Sequence, residues 1–226
     1  MSIHHHLDDA SLMRYASGDL DPAFCVIVAS HLAMCETCRN AVRMAEALGG
    51  DCLEHGPQAD VSADAFARIS HLLDAEAENR PTATAAVMER PKEVSTQVNA
   101  EVPLPLQGLI GDSIDALDWQ WLAPGVHRHR IEMAGTSSSL FMLKIGPGRK
   151  MPEHGHGGVE MTLVLRGSYS DTFGRFGRGD IADLDEHVEH QPFVDSAEAC
   201  VCVVATEEPT QFKGVMSRLL QPLVGI

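Results

Sequence analysis

The pattern of apolar and polar positions changes period once along the chain. Over residues 1–78 the apolar side chains recur at helical spacing. Leu12, Met13 and Tyr15 follow Asp8 and Asp9, either of which can cap a first helix, and Gly18 ends it. Asp21-Pro22 is a second start signal, with Asp as cap and Pro in the first turn. Phe24, Ile27, Val28, His31 and Leu32 then fall on one face. A third helix is expected over about 37–48, stopping at Gly49-Gly50. A fourth begins at Ser62, with Val61 and Phe66 placed as a hydrophobic staple. Phe66, Ile69, Leu72 and Leu73 form its stripe, and core packing is the expected use of that stripe.

Residues 79–104 carry no periodicity, and Pro81, Pro91, Pro103 and Pro105 are expected to break any helix. From about residue 107 the period shortens to that of strands. Strands are expected at 140–145, 161–165 and 199–205, between turns at Gly146-Pro147-Gly148, Gly157-Gly158, Gly167 and Gly177-Arg178-Gly179-Asp180. The expected organisation is multi-domain α + β: a helical domain of about four helices over 1–80, a linker over 81–105, and a small β-barrel or sandwich over 106–226. A Pro-rich linker also predicts few contacts between the two folded parts.

Composition narrows the function. The net charge is -15, and both folded parts are acidic, which argues against direct binding to nucleic acid and leaves a basic protein partner open. Six cysteines in no small-disulfide pattern fit a reducing, cytoplasmic setting. No apolar run approaches about 18 residues, and no signal-peptide core precedes Asp8 and Asp9, so neither a membrane span nor export is expected.

Two stretches carry metal chemistry. The first is His31-x3-Cys35-x2-Cys38. Zinc takes thiolate and imidazole in tetrahedral sets of four, and this run supplies three. His31 and Cys35 share a helix face, with Cys38 opening the next helix. The alternatives are a redox dithiol or two buried thiols, but a dithiol needs no His one turn upstream. The His4-His5-His6 run lies upstream, and the site needs a fourth ligand. A zinc there would support a helical unit whose own core is thin.

The second stretch is Gly148-x5-His154-x-His156-x3-Glu160-x6-Gly167. On a strand His154 and His156 point to one side, and Glu160 returns after the Gly157-Gly158 turn. His190, at Gly179-x10-His190, offers a further ligand. Nitrogen and oxygen donors suit Zn, Fe, Mn or Ni alike.

Residues 148–167 resemble the first conserved motif of the cupin superfamily at every fixed position. The second cupin motif is matched in part, as Gly179-x5-Asp185-x-His187-x2-His190-x3-Val194. Its metal His is kept, and its Pro, second Gly and Asn are absent. An H-x3-C-x2-C helical domain followed by one cupin domain resembles the ChrR family of zinc-binding anti-sigma factors over nearly the whole chain. The opening Ile3-His4-His5-His6-Leu7-Asp8-Asp9 and the closing Arg218-Leu219-Leu220-Gln221-Pro222 fit it as well.

The resemblance implies a Zn(II) held by His6, His31, Cys35 and Cys38, with His4 and His5 as neighbouring alternatives to His6. It implies a second metal, first of all Zn(II), at His154, His156, Glu160 and His190. It implies a cytoplasmic regulator, not an enzyme, that sequesters an extracytoplasmic-function-type RNA polymerase sigma factor in a 1:1 complex. Release would follow an oxidative signal, singlet oxygen or organic peroxide, received by the cupin domain. The rival reading is a metal-dependent, oxygenase-like cupin enzyme, or a metal cupin that binds a small molecule without catalysis.

Other residues are explained more simply. His127 and His129 lack a following Glu at turn distance and read as surface strand residues. Cys200 and Cys202 face one way on an apolar strand, as buried thiols or a redox pair. Cys25 and Cys52 read as unpaired, and His71 as packing or surface. His187 is a candidate outer-sphere partner of His190, and Met142, Met151 and Met161 are candidates to line a cavity.

Overall fold

The computed structural model describes residues 2–79 and 100–209, and the backbone of 211–212. Most of the expected linker and the closing Arg218–Pro222 stretch lie outside the described residues. The chain divides into two compact units, one of residues 1–49 with 98–226 and one of 50–97.

In the first unit, α1 (Asp9–Ser17) starts where Asp8 accepts the Ser11 N–H at 2.6 Å and ends at Gly18, whose φ of 75° gives the left-handed turn. α2 (Pro22–Met34) is capped by Asp21, which accepts the Ala23 N–H at 2.9 Å. Phe24, Ile27, Val28, His31 and Leu32 are all buried, as their spacing predicts. α3 (Glu36–His55) begins two residues after α2 ends and runs from the first unit into the second. It does not stop at Gly49-Gly50. Neither glycine takes a positive φ, so neither forms a left-handed cap. Each instead costs the helix about 1 kcal/mol relative to Ala.

The second unit holds the end of α3 and α4 (Ala65–Asn79). The stripe of α4 is not core. Phe66 is 83% exposed, Ile69 58%, Leu72 67% and Leu73 62%. Helical spacing shows that these side chains share a face; it does not show what covers the face.

α5 (Leu104–Ile110) begins among the prolines expected to break it. Pro103 is its cap and Pro105 lies in its first turn, where the missing N–H has no helical partner to lose. Thereafter twelve short strands form among the described residues. β1 (Gln120–Ala123), β2 (Val126–Ile131), β3 (Ser139–Ile145), β4 (His154–Gly155), β5 (Glu160–Arg166) and β6 (Ser168–Asp171) come first. β7 (Gly174–Gly177), β8 (Ile181–Leu184), β9 (Glu189–His190), β10 (Phe193–Val194), β11 (Cys200–Thr206) and β12 (Gln211–Phe212) follow. One six-stranded sheet runs β1-β2-β3-β11-β5-β8, and two three-stranded sheets run β10-β6-β7 and β12-β4-β9. Among the described residues all the strand pairings are antiparallel, and the three sheets do not merge into one continuous closed barrel.

The alternation of the large sheet explains its two faces. Leu140, Met142, Met161, Leu163, Leu165, Val201, Val203 and Ala205 pack in one cluster with Phe24, Ile27, Val28 and Leu106 from the helices. The intervening Phe141, Leu143, Thr162, Cys200, Cys202 and Val204 line an interior cavity. A strand buried on both faces carries an unbroken apolar run, and Cys200–Ala205 is one. The expectation of few contacts between helices and sheet therefore fails for residues 1–49, because α2 buries its apolar face on the six-stranded sheet. No helix among the described residues is long and apolar enough to cross a membrane.

Candidate metal centres

The first cluster forms where α2 passes to α3. His31 lies in the last turn of α2, Cys35 caps that helix, and Cys38 sits in the first turn of α3. The N-terminal segment brings His6 over them. Cys35 Sγ lies 3.3 Å from His6 Nδ1, Cys38 Sγ 3.6 Å from the same nitrogen, and His31 Nε2 3.3 Å from Cys38 Sγ. All four donor atoms lie within 4.8 Å of one another. Ligands at about 2.0–2.3 Å from a tetrahedral zinc stand about 3.3–3.8 Å apart, so the donor set fits.

His31, Cys35 and Cys38 are buried and His6 is exposed. Burial lowers the His31 imidazole to about 4, against the opposing hydrogen bond to the Gly179 carbonyl. Burial also pushes the Cys38 thiol up to about 11. A bound dication would favour the thiolates and the neutral imidazoles that ligation requires. Of the three N-terminal histidines, His6 joins the cluster. His4 is exposed beside Ser2, and the His5 ring stacks on Phe176 with centroids 3.9 Å apart.

The second cluster lies inside the β part. His154 and His190 face each other across the β4–β9 ladder, with their Nε2 atoms 3.0 Å apart. The ring of His156 stands 5.4 Å from that of His154 and 5.2 Å from that of His190, centre to centre. The outer nitrogens of two of these rings are held. His154 Nδ1 pairs with the Pro152 carbonyl at 2.8 Å, and His190 Nδ1 with Asp171 Oδ2 at 2.9 Å. Each bond fixes a tautomer that leaves Nε2 free for a metal. The His156 side chain is fully buried, and neither of its nitrogens makes a well-formed hydrogen bond among the described residues. A buried imidazole left in that way fits a missing ligand.

Glu160 stands beside this group, with Oε2 3.3 Å from His156 Nδ1. Burial works to raise its carboxyl, but the approach of His156 and the charges of the three imidazoles outweigh it and hold the group below the usual carboxylate range. Burial lowers His154 to about 4. The three imidazoles meet at one point, and Glu160 is in contact with one of them.

A cavity of about 60 Å³ adjoins the cluster. Met151, Tyr169, Val194, Cys200 and Cys202 are among its walls. The Tyr169 hydroxyl is buried without a hydrogen-bond partner among the described residues. Burial pushes the Cys200 thiol up to about 12 and Cys202 well above its usual value, so both are held as neutral thiols.

Residues 109–209 match the family model of the ChrR cupin-like domain. The whole chain is 34% identical over 226 residues to the whole of the anti-sigma-E factor ChrR of Cereibacter sphaeroides. The chain belongs to the ChrR family. Its structure is also similar to the crystal structure of Rhodobacter sphaeroides SigE in complex with the anti-sigma ChrR. The TM-score there is 0.72 at 31% identity, covering 91% of this chain and 99% of that one. An RmlC-like cupin of Ralstonia eutropha JMP134 is a more distant likeness, with a TM-score of 0.40 at 17% identity over 46% of this chain and 71% of that one. The fold is thus the helical-plus-cupin arrangement of the ChrR family.

Within this ChrR-family chain the outer-sphere residues are the ones that sequence reasoning missed. His187 does not support His190; its exposed ring lies 3.7 Å from Glu186. Asp171 takes that part, from the end of β6. Met142 and Met161 face the helices rather than the cavity, while Met151 does line it. His127 and His129 join neither group, and His129 Nδ1 pairs with the Asp118 carbonyl at 3.0 Å. His71 is exposed on α4.

Proposed function

We propose that this chain is an anti-sigma factor that holds an extracytoplasmic-function-type sigma factor off RNA polymerase, as a 1:1 complex in the cytoplasm. The likeness to ChrR over the full length of both chains carries the reading. The exposed apolar side chains of α3 and α4 add to it: Met44 and Leu48 share a face of α3, and Phe66, Ile69, Leu72 and Leu73 share a face of α4. Such surfaces fit a protein partner better than they fit water.

In this reading His6, His31, Cys35 and Cys38 hold a structural Zn(II). Two thiolates neutralise the dication, so its burial leaves little net charge. His154, His156, His190 and Glu160 hold a second metal, with Zn(II) the first candidate and Fe, Mn or Ni also suited to the donors. By function the chain is assigned an inhibiting part over 1–80, a linker over 81–105 and a cupin part over 106–226, although residues 1–49 pack in one compact unit with the sheet. The first inhibits, and the cupin domain receives an oxidative signal, singlet oxygen or organic peroxide.

The signal acts by a free-energy difference between bound and released states. Relieving about a hundredfold silencing needs about 3 kcal/mol. The chain is a regulator and not an enzyme. One observation favours the rival, which is the cavity that opens beside the three imidazoles. Oxygen consumption by the metal-loaded chain would support that enzyme reading.

The test is co-expression of the full chain with candidate sigma factors, followed by transcription from the cognate promoter. The expected result is a stable 1:1 complex and silenced transcription, relieved by singlet oxygen or peroxide. Failure to bind any sigma factor of the host would overturn the proposal.

A further inference from the structure

We propose that the turn between β7 and β8 positions two of the four ligands of the N-terminal metal cluster, through the Gly179 carbonyl and the Asp180 carboxylate. This rests on the reading of that cluster as a metal centre. The cupin part then supplies the outer support of a site whose ligands all come from the first 38 residues.

His31 Nδ1 lies 2.9 Å from the Gly179 carbonyl, at a site where the imidazole is fully buried. That bond places the proton on Nδ1 and turns Nε2 toward Cys38. Asp180 is 3% exposed, and its Oδ1 accepts the His4 N–H at 2.6 Å and the His5 N–H at 3.0 Å. Its Oδ2 accepts the Gly177 N–H at 2.8 Å, which fixes the carboxylate within its own turn. The two amides immediately preceding His6 are therefore anchored to one buried carboxylate.

The fit is close on both sides. Gly179 has a φ of +88°, and a Cβ there would stand 2.9 Å from two side-chain atoms of Ile3. A Cβ at Gly174 would stand 3.1 Å from the His5 ring, which also stacks on Phe176. The Ile181 N–H reaches the His5 carbonyl at 3.4 Å. Residues 3–5 thus lie along the start of β8, and His6 leaves that contact directly for the two cysteines. His6 is exposed and has no helix to hold it, so its placement depends on this anchor.

The test uses the full chain, with zinc affinity at the cysteine site measured by chelator competition and its ligand field by Co(II) substitution. Asp180→Ala and Asp180→Asn address the carboxylate from the cupin side. His4→Pro removes one of the two donated N–H groups from the other side, and His4→Ala keeps it. The expected result is a loss of zinc affinity of about tenfold or more in Asp180→Ala and His4→Pro. Asp180→Asn should fall between Asp180→Ala and the unaltered chain, and His4→Ala should match the unaltered chain. The Co(II) bands should shift in the weakened variants while metal content at His154, His156 and His190 stays constant. The His31 ring nitrogens, read by ¹⁵N NMR of the zinc form, should show the proton on Nδ1. Unchanged affinity and unchanged bands in both His4→Pro and Asp180→Asn would overturn the proposal. Absence of a Co(II)–thiolate band in the unaltered chain would overturn the metal reading beneath it, and that outcome is distinct.

Discussion

The two ligand clusters differ in how they are enclosed. In the N-terminal cluster two thiols and two imidazoles crowd one point, and each donor already touches another. Such a set closes the coordination sphere and leaves no position for a substrate. In the cupin cluster three imidazoles meet beside a cavity walled by Tyr169, Cys200 and Cys202. That arrangement leaves a side open. A closed site suits a staple between α2, α3 and the N-terminal segment. An open site suits a receiver. The contrast fits the proposed function, in which the first cluster serves inhibition and the second the response.

Variants can break that contrast at either end, and the largest effect should come from the cysteines. Cys35→Ser with Cys38→Ser should abolish zinc at the first cluster and unfold the helices around it. Structural zinc contributes on the order of 10 kcal/mol in small zinc-dependent domains. Metal analysis and circular dichroism read the result, and full helicity with one zinc retained there would refute the staple. His154→Ala should instead remove one metal from the cupin cluster, leave the cysteine site loaded and preserve sigma binding. Metal stoichiometry of a tag-free preparation reads it.

Two intermediate effects sharpen the assignment. Leu72→Asp on the exposed face of α4 should weaken sigma binding by about 2 kcal/mol, as truncation of interface anchors does. Because Leu72 is 67% exposed, the melting temperature of the free chain should hardly move. Asp171→Asn should lower metal affinity at the cupin cluster by about tenfold to a hundredfold, since the carboxylate orients His190 from 2.9 Å. Chelator competition measures that loss, and an unchanged affinity would show that His190 needs no such support.

The smallest effect concerns a second tie between helix and sheet. Asp21 caps α2 and also accepts from Ser137 N–H at 2.9 Å and from Thr136. Burial works against its charge, but these hydrogen bonds prevail and lower its pKa to about 2. A carboxylate lowered in the folded state contributes stability above its unfolded value and loses it as pH falls through the folded one. Asp21→Ala should therefore cost about 1 kcal/mol at neutral pH. The difference from the unaltered chain should shrink between about pH 4 and pH 2. Urea titrations across that range would detect it.

Sequence spacing made most of the candidate ligands legible, with His6 indicated only by the family resemblance, and left their supports hidden. His31, Cys35 and Cys38 lie within two adjoining helices, so local periodicity places them together. His154 and His156 sit two apart, and His190 falls at a cupin spacing. The supports lie far along the chain from what they hold. Asp171 is 19 residues from His190, Gly179 is 148 from His31, and Asp180 is 176 from His4. No local pattern marks a carbonyl or a carboxylate for such use. The same limit applies to Phe66, Ile69, Leu72 and Leu73. Their spacing is the same whether the face meets a core or a partner. At Gly49-Gly50 and Pro105, composition suggested breaks, and the backbone used the ordinary helical conformation or the first-turn allowance instead.

The most direct measurement is transcription by polymerase with the cognate sigma factor, in the presence of the full chain or its variants. The account predicts silencing by the unaltered chain and by His154→Ala, with induction by singlet oxygen or peroxide only in the former. It predicts no silencing by Cys35→Ser with Cys38→Ser. Equal loss of silencing in His154→Ala and the cysteine variant would show that the cupin itself holds the sigma factor, and would contradict the division between the two clusters.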